Sequence, residues 1–129
     1  MEGRIQDFLA DMQYAGRMEP IAEKLIDAAS AVAGCGPAFM YMFLEAMADG
    51  GVACGLPRDS AMAFAAATMA GAAQMVLDTK MHPGALKDAV CSPGGSTIAG
   101  VKVLEENGFR GAVIDCINAA YERSCQLGK

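Results

Sequence analysis

Two long segments of this chain have no room for a polar face. Between Ser60 and Leu77 there is no charged residue, and between Pro37 and Ala48 there is only Glu45. Both segments have helical length, and both favour alanine and methionine, which suit a helix. In the one nearer the N-terminus, Phe39, Met40, Tyr41, Met42, Phe43 and Leu44 follow one another without a polar break. A helix that is apolar on every side must be covered on every side. One small domain has too little material to cover two such helices, so the pattern predicts a subunit interface. The segment from Ser60 to Leu77 is long enough to raise the question of a membrane span. It reads as a buried helix of a soluble protein instead, because alanine is only weakly apolar and Thr68, Gly71 and Gln74 interrupt it.

Composition points the same way. The 129 residues suit one domain with its own core. Yet 53% are hydrophobic and only 19% charged, so either the core is unusually complete or another chain covers part of the surface. Aromatics are few, tryptophan is absent and β-branched runs are scarce, which favours packed helices over a sheet. A net charge of −5 and the lack of any basic cluster exclude a nucleic-acid partner. The five cysteines, Cys35, Cys54, Cys91, Cys116 and Cys125, form no CxxC pair. They read as buried, reduced thiols rather than a disulfide framework or a zinc site. The opening Met1-Glu2-Gly3-Arg4 leads into an amphipathic stretch, not an apolar leader, so a cytoplasmic location is expected.

The periodicity predicts an all-α body of about five or six helices. An amphipathic helix covers 2–14, followed by a short extended stub at 17–20. Helices then follow over about 21–33, 37–54, 60–80, 85–90, 95–107 and 109–126. Pro37 is placed to start its helix, Asp59 or Ser60 to cap the uncharged one, and Gly108 to end the sixth. The stub has no sheet to join and reads as the trailing edge of something else.

The chemistry concentrates at Cys91-Ser92-Pro93-Gly94-Gly95-Ser96-Thr97. Here a Pro-Gly-Gly turn launches a helix whose first turn carries two hydroxyls. Such a start presents unpaired N–H groups and the positive end of the helix dipole. Glycine lets a ligand approach the backbone, so the segment is a candidate site for a carboxylate or phosphate. The competing reading is a plain glycine turn with Ser or Thr capping. Elsewhere the chemistry is thin. Cys35, in Gly34-Cys35-Gly36-Pro37, has no base nearby in sequence, and His82, the only histidine, sits in a Pro-Gly turn. Asp27, Glu45 and Asp49 read as capping or solvated groups, and no set of residues has metal-ligand spacing.

Several ordered motifs resemble those of one family, pyrroline-5-carboxylate reductase. They are Glu23-Lys24-Leu25-Ile26-Asp27-Ala28, Gly34-Cys35-Gly36-Pro37-Ala38-Phe39, Ala48-Asp49-Gly50-Gly51-Val52 and Gly55-Leu56-Pro57-Arg58. His82-Pro83-Gly84-Ala85-Leu86-Lys87-Asp88, Ser92 to Gly100, Leu104-Glu105 and Gly108-Phe109-Arg110 continue the order across residues 21–127. One departure is Ala33 and Cys35, where the family usually carries two serines. The larger one is the lack of a GxGxxG loop and of βαβ alternation, the marks of a dinucleotide-binding domain.

The resemblance is therefore to the C-terminal half of the enzyme. It implies that residues 1–20 are the end of a Rossmann domain and 21–129 a helical dimerisation and substrate-binding domain, intertwined in a homodimer. Family members also assemble dimers into larger rings. It implies that Ser92, Gly94, Gly95, Ser96 and Thr97 hold the carboxylate of pyrroline-5-carboxylate or proline, with the Thr97 hydroxyl, the catalytic group, beside the ring nitrogen. NAD(P)H serves the complete enzyme, whereas this chain alone is expected to bind no cofactor and to be inactive. Two alternatives are a non-catalytic oligomerisation module with a vestigial anion site and the equivalent domain of a related imine reductase.

Overall fold

A computed structural model describes residues 2–12, 14 and 16–127, the side chain of Glu2 excepted. The architecture is all-α, as expected. Helix α1 spans Glu2–Asp11. The predicted stub at 17–20 does not form a strand. A strand needs a neighbour to pair with its N–H and C=O groups, and among the described residues none lies beside it. The next segment is helical but irregular: one 3₁₀ turn (Glu23–Leu25), a short α2 (Ile26–Ala29) and a π turn (Ser30–Gly34). After a bend at Cys35 comes α3 (Gly36–Ala53), with Pro37 in its first turn as expected.

Helices α3 and α4 (Arg58–Thr79) form a tight hairpin. The end of α3 is a Schellman motif. Gly55 has φ +98°, the Leu56 N–H donates to the Gly51 carbonyl (3.0 Å) and the Gly55 N–H to the Val52 carbonyl (2.9 Å). Arg58 then pairs with Asp49 at 2.5 Å across the turn. The helices approach closely at Gly51, where an added Cβ would lie 3.2 Å from the Ala61 Cβ. Neither Asp59 nor Ser60 caps α4. Pro57 occupies the cap position and no side chain bonds there, so Asp59 in the first turn acts only through its charge on the helix dipole. At the far end Lys80 takes up a left-handed conformation, φ 55°, at the C-cap.

Helix α5 (Pro83–Ala89) is capped by His82, whose Nδ1 accepts from the Gly84 N–H at 3.0 Å. A turn leads to α6 (Ser96–Glu106), and Gly108 at φ +70° leads into α7 (Phe109–Leu127). Arg110 pairs with Glu105 at 2.7 Å across that corner. Phe109 packs on Phe43 of α3, ring centroids 5.7 Å apart. The stretch formed by α2 and the π turn packs on α7, and so does α6.

The core is small. Among the described residues the buried hydrophobic ones are alanines: Ala31, Ala48, Ala61 and Ala65. Large apolar side chains stay open, with Tyr41 69%, Met42 70% and Phe64 61% exposed. The accessible surface is 10109 Å², against about 6,500 Å² for a compact monomer of this mass. The expected burial of the thiols fails for the same reason. Cys35 and Cys54 are exposed and the other three half-buried, because the chain does not cover its own apolar faces.

Candidate functional site

The sequence around residue 95 builds its geometry locally. Pro93 fixes the first corner of a turn, and Gly94 at φ +69° supplies the second, the pattern of a type II turn. The Gly95 N–H closes it by donating to the Ser92 carbonyl at 3.0 Å. Gly95 itself is extended, φ −76° and ψ 171°, and serves as the N-cap of α6. A Cβ at Gly95 would collide with the Ser92 hydroxyl and lie 3.2 Å from the Ser92 carbonyl. A side chain at Gly95 is therefore opposed by space, not by φ, since the Ser92 hydroxyl would have to turn away and the Ser92 carbonyl to shift.

The first intrahelical bond is long, from the Ala99 N–H to the Gly95 carbonyl at 3.4 Å. The N–H groups of Ser96, Thr97 and Ile98 have no partner among the described residues, and no side chain caps the helix. The sequence allowed a capping role for the two hydroxyls, but neither plays it. Three N–H donors and the positive dipole end of an eleven-residue helix therefore meet at one exposed helix start, whose first turn carries two hydroxyls without a partner among the described residues. Ser92, Gly94, Ser96 and Thr97 are exposed and Gly95 half-buried. The arrangement can offer an anion directed donors, but nothing among the described residues closes over it.

One charged neighbour escaped the sequence reading. Lys87, on the last turn of α5, bonds Asp88 at 2.6 Å. That bond holds Lys87 above its ordinary pKa and Asp88 below. Lys87 also feels the charges of Cys91 and Arg110, which places it within electrostatic reach of the turn before α6. Its only sequence signal was its place in the His82–Asp88 motif. Two apolar grooves lie elsewhere. One, of about 460 Å³, is formed by Phe39, Met42 and Phe43 of α3, Met69 of α4, and Phe109 and Val113 of α7. The other, of about 430 Å³, lies between α4 and α5 and is lined by Met75, Val76, Leu86 and Val90. Neither includes a residue of the 92–97 turn.

Comparison with known proteins bears on the fold and the family. Residues 23–127 match the family described as pyrroline-5-carboxylate reductase dimerisation. The chain is 51% identical over 123 residues to the pyrroline-5-carboxylate reductase of Escherichia coli strain K12, covering 95% of this chain and 46% of that protein. It is 50% identical over 112 residues to the Glycine max enzyme of the same name, covering 87% and 41%. The crystal structure of Plasmodium falciparum pyrroline carboxylate reductase with NADP bound superposes with a TM-score of 0.86 at 36% identity, over 96% of this chain and 48% of that one. The chain thus spans about half the length of the relatives it matches. On this family match, identity and shared helical fold, the chain belongs to the pyrroline-5-carboxylate reductase family, and the residues matched are those of its dimerisation region.

Proposed function

We propose that this chain supplies the dimer interface and the substrate-carboxylate site of a pyrroline-5-carboxylate reductase, the enzyme that reduces pyrroline-5-carboxylate to proline with NAD(P)H. The observation that carries the reading is the start of α6, where three unpaired N–H groups stand beside two unengaged hydroxyls. A ring carboxylate accepts from the N–H groups of Ser96, Thr97 and Ile98. The Thr97 hydroxyl then lies beside the ring nitrogen, and Ser92 with Gly94 and Gly95 shapes the turn. These groups bind and orient; hydride transfer depends on orientation and on exclusion of water.

No strand, and no glycine-rich loop running from strand to helix, occurs among the described residues. Residues of this chain therefore do not fit a dinucleotide held in that way. In this reading residues 1–20 lead from a separate dinucleotide-binding part, and 21–129 form the helical part. The surplus of accessible surface, about 3,600 Å² by the same scaling, and the large apolar side chains left open on it support coverage by a second copy. Larger rings of dimers and a cytoplasmic location complete the proposal.

The test is titration of the chain with proline, followed through its amide NMR signals. Shifts centred on Gly95 to Thr97 support the site, and shifts centred elsewhere reject it. Fusing a relative's dinucleotide-binding domain ahead of Met1 separates the enzyme from a non-catalytic oligomerisation module. The fusion should oxidise NADPH in the presence of pyrroline-5-carboxylate.

A further inference from the structure

Polar side-chain ties in this chain are local, with one exception. Among the described residues, side-chain hydrogen bonds and ion pairs join partners at most nine positions apart, as in the Arg58–Asp49 pair. Asp27 is the exception. On the α2 turn and half-buried, it accepts from the Ser124 hydroxyl at 2.8 Å through Oδ1. Its Oδ2 accepts from the Cys125 thiol at 3.7 Å. Tyr121 lies one turn back on α7, and its hydroxyl is pushed up by its bond to Cys125 and by the Asp27 charge. One carboxylate therefore gathers two donors from the last turns of a helix nearly a hundred residues away.

The π turn begins three residues after Asp27. The Cys35 N–H donates to the Ser30 carbonyl at 3.0 Å, an i to i+5 bond. A π turn holds one residue more than an α turn, so it rotates the helical segment before it against the helix after it by about 100°. The rotation has a visible consequence. Helix α3, after the π turn, packs chiefly on α4 and meets α7 at Phe43, whereas α2 and the turn itself pack on α7. Ala31, in the middle of the turn, is 1% exposed. Small size and burial let the turn act as a fixed elbow, and Asp27 sits on its outer arm.

We propose that Asp27 is a latch. It fastens the chain entering the bundle to the end of α7, and so fixes the position of everything before residue 23 relative to the start of α6. The frame is continuous, because α7 is tied to α6 at the Gly108 corner by Glu105 and Arg110. The functional half of the proposal rests on the reading above, in which residues 1–20 lead from a dinucleotide-binding part. Under that reading Asp27 touches no reactant. It is a positioning residue that holds the two halves of the reaction in register.

Two measurements test the latch. In the 129-residue chain, hydrogen–deuterium exchange should quicken at 23–34 in Asp27→Ala by tenfold or more, and stay unchanged in α3 and α4. Asp27→Asn, which keeps an acceptor for Ser124, should restore part of the protection. Unchanged exchange at 23–34, or equal acceleration in α3 and α4, overturns the latch. In the fused enzyme, Asp27→Ala should lower kcat at least tenfold with the KM for pyrroline-5-carboxylate unchanged, because the carboxylate site on α6 is untouched. An active fusion with unaltered kcat removes the positioning role. A fusion inactive even with Asp27 in place would count against the proposed function alone, and exchange would still decide the latch.

Discussion

Met42 offers the sharpest contrast between a chain that stands alone and one that is covered. It is 70% exposed on α3 and lines the groove shared with α4 and α7. If the chain is a monomer, Met42→Glu changes a surface residue in a helix, and its effect on stability stays within about 0.5 kcal/mol. If a second copy covers this face, the substitution removes a buried methionine worth about 1.5–3 kcal/mol. A symmetric dimer contains the change twice, so the loss is about 3–6 kcal/mol, before the cost of an unpaired carboxylate is added. That is about a hundredfold to ten-thousandfold in the dimer dissociation constant. We expect the larger effect. Sedimentation equilibrium at micromolar concentration should show a dimer for the unaltered chain, and dissociated or unfolded chain for Met42→Glu. A concentration-dependent urea midpoint should accompany the dimer and vanish in the variant. A folded, helical monomer whose midpoint Met42→Glu leaves in place would refute the argument from exposed surface.

Other outcomes rest on single features. Thr97→Ala should weaken proline binding by about 0.5–1.5 kcal/mol, the worth of one hydrogen bond, as read by calorimetry. Lys80 occupies a left-handed position that costs a non-glycine residue about 1–2 kcal/mol, so Lys80→Gly should raise the melting temperature; a fall would show that the Lys80 side chain contributes more than the strain. The Lys87–Asp88 bond lowers the Asp88 pKa, so the pair stabilises the fold above about pH 4 and that contribution is lost as the pH falls through the lowered value. The Lys87 pKa is raised, so its share persists to about pH 10 and is lost only as the pH climbs through the raised value. Carbon NMR titration of the Asp88 carboxyl should follow this order, and Lys87→Met should return it to the ordinary range.

Features with a local cause are legible in the sequence. Pro37 in the first turn of α3, Gly55 and Gly108 at positive φ, and the Pro93-Gly94 corner each depend on one or two residues. The candidate anion site is legible for the same reason, since it lies within six consecutive positions. Features that depend on distant partners are not. The π turn at Ser30–Gly34 has no sequence signature of its own, and its contacts are with α7, far along the chain. Asp27 reads as a solvated group in the sequence because its donors, Ser124 and Cys125, lie at the other end of the chain. The predicted cap at Asp59 or Ser60 fails by a small shift, with the helix beginning at Arg58 and Pro57 taking the cap position.

The exposed thiols share their cause with the exposed aromatic faces. The sequence reads the apolar helices as needing a second chain, yet places the thiols inside this one. Within the chain, helices α3 and α4 meet through alanine and glycine, and such small side chains bring two backbones together without burying much area. The large side chains, Met42, Tyr41 and Phe64, point away from that contact. A close hairpin with a bulky exterior is a poor monomer and a good half of a larger core. The same division applies to the start of α6, where the donors are in place but no wall closes over them. Covering the apolar exterior and enclosing the proposed anion site both call for surface that the described residues do not supply.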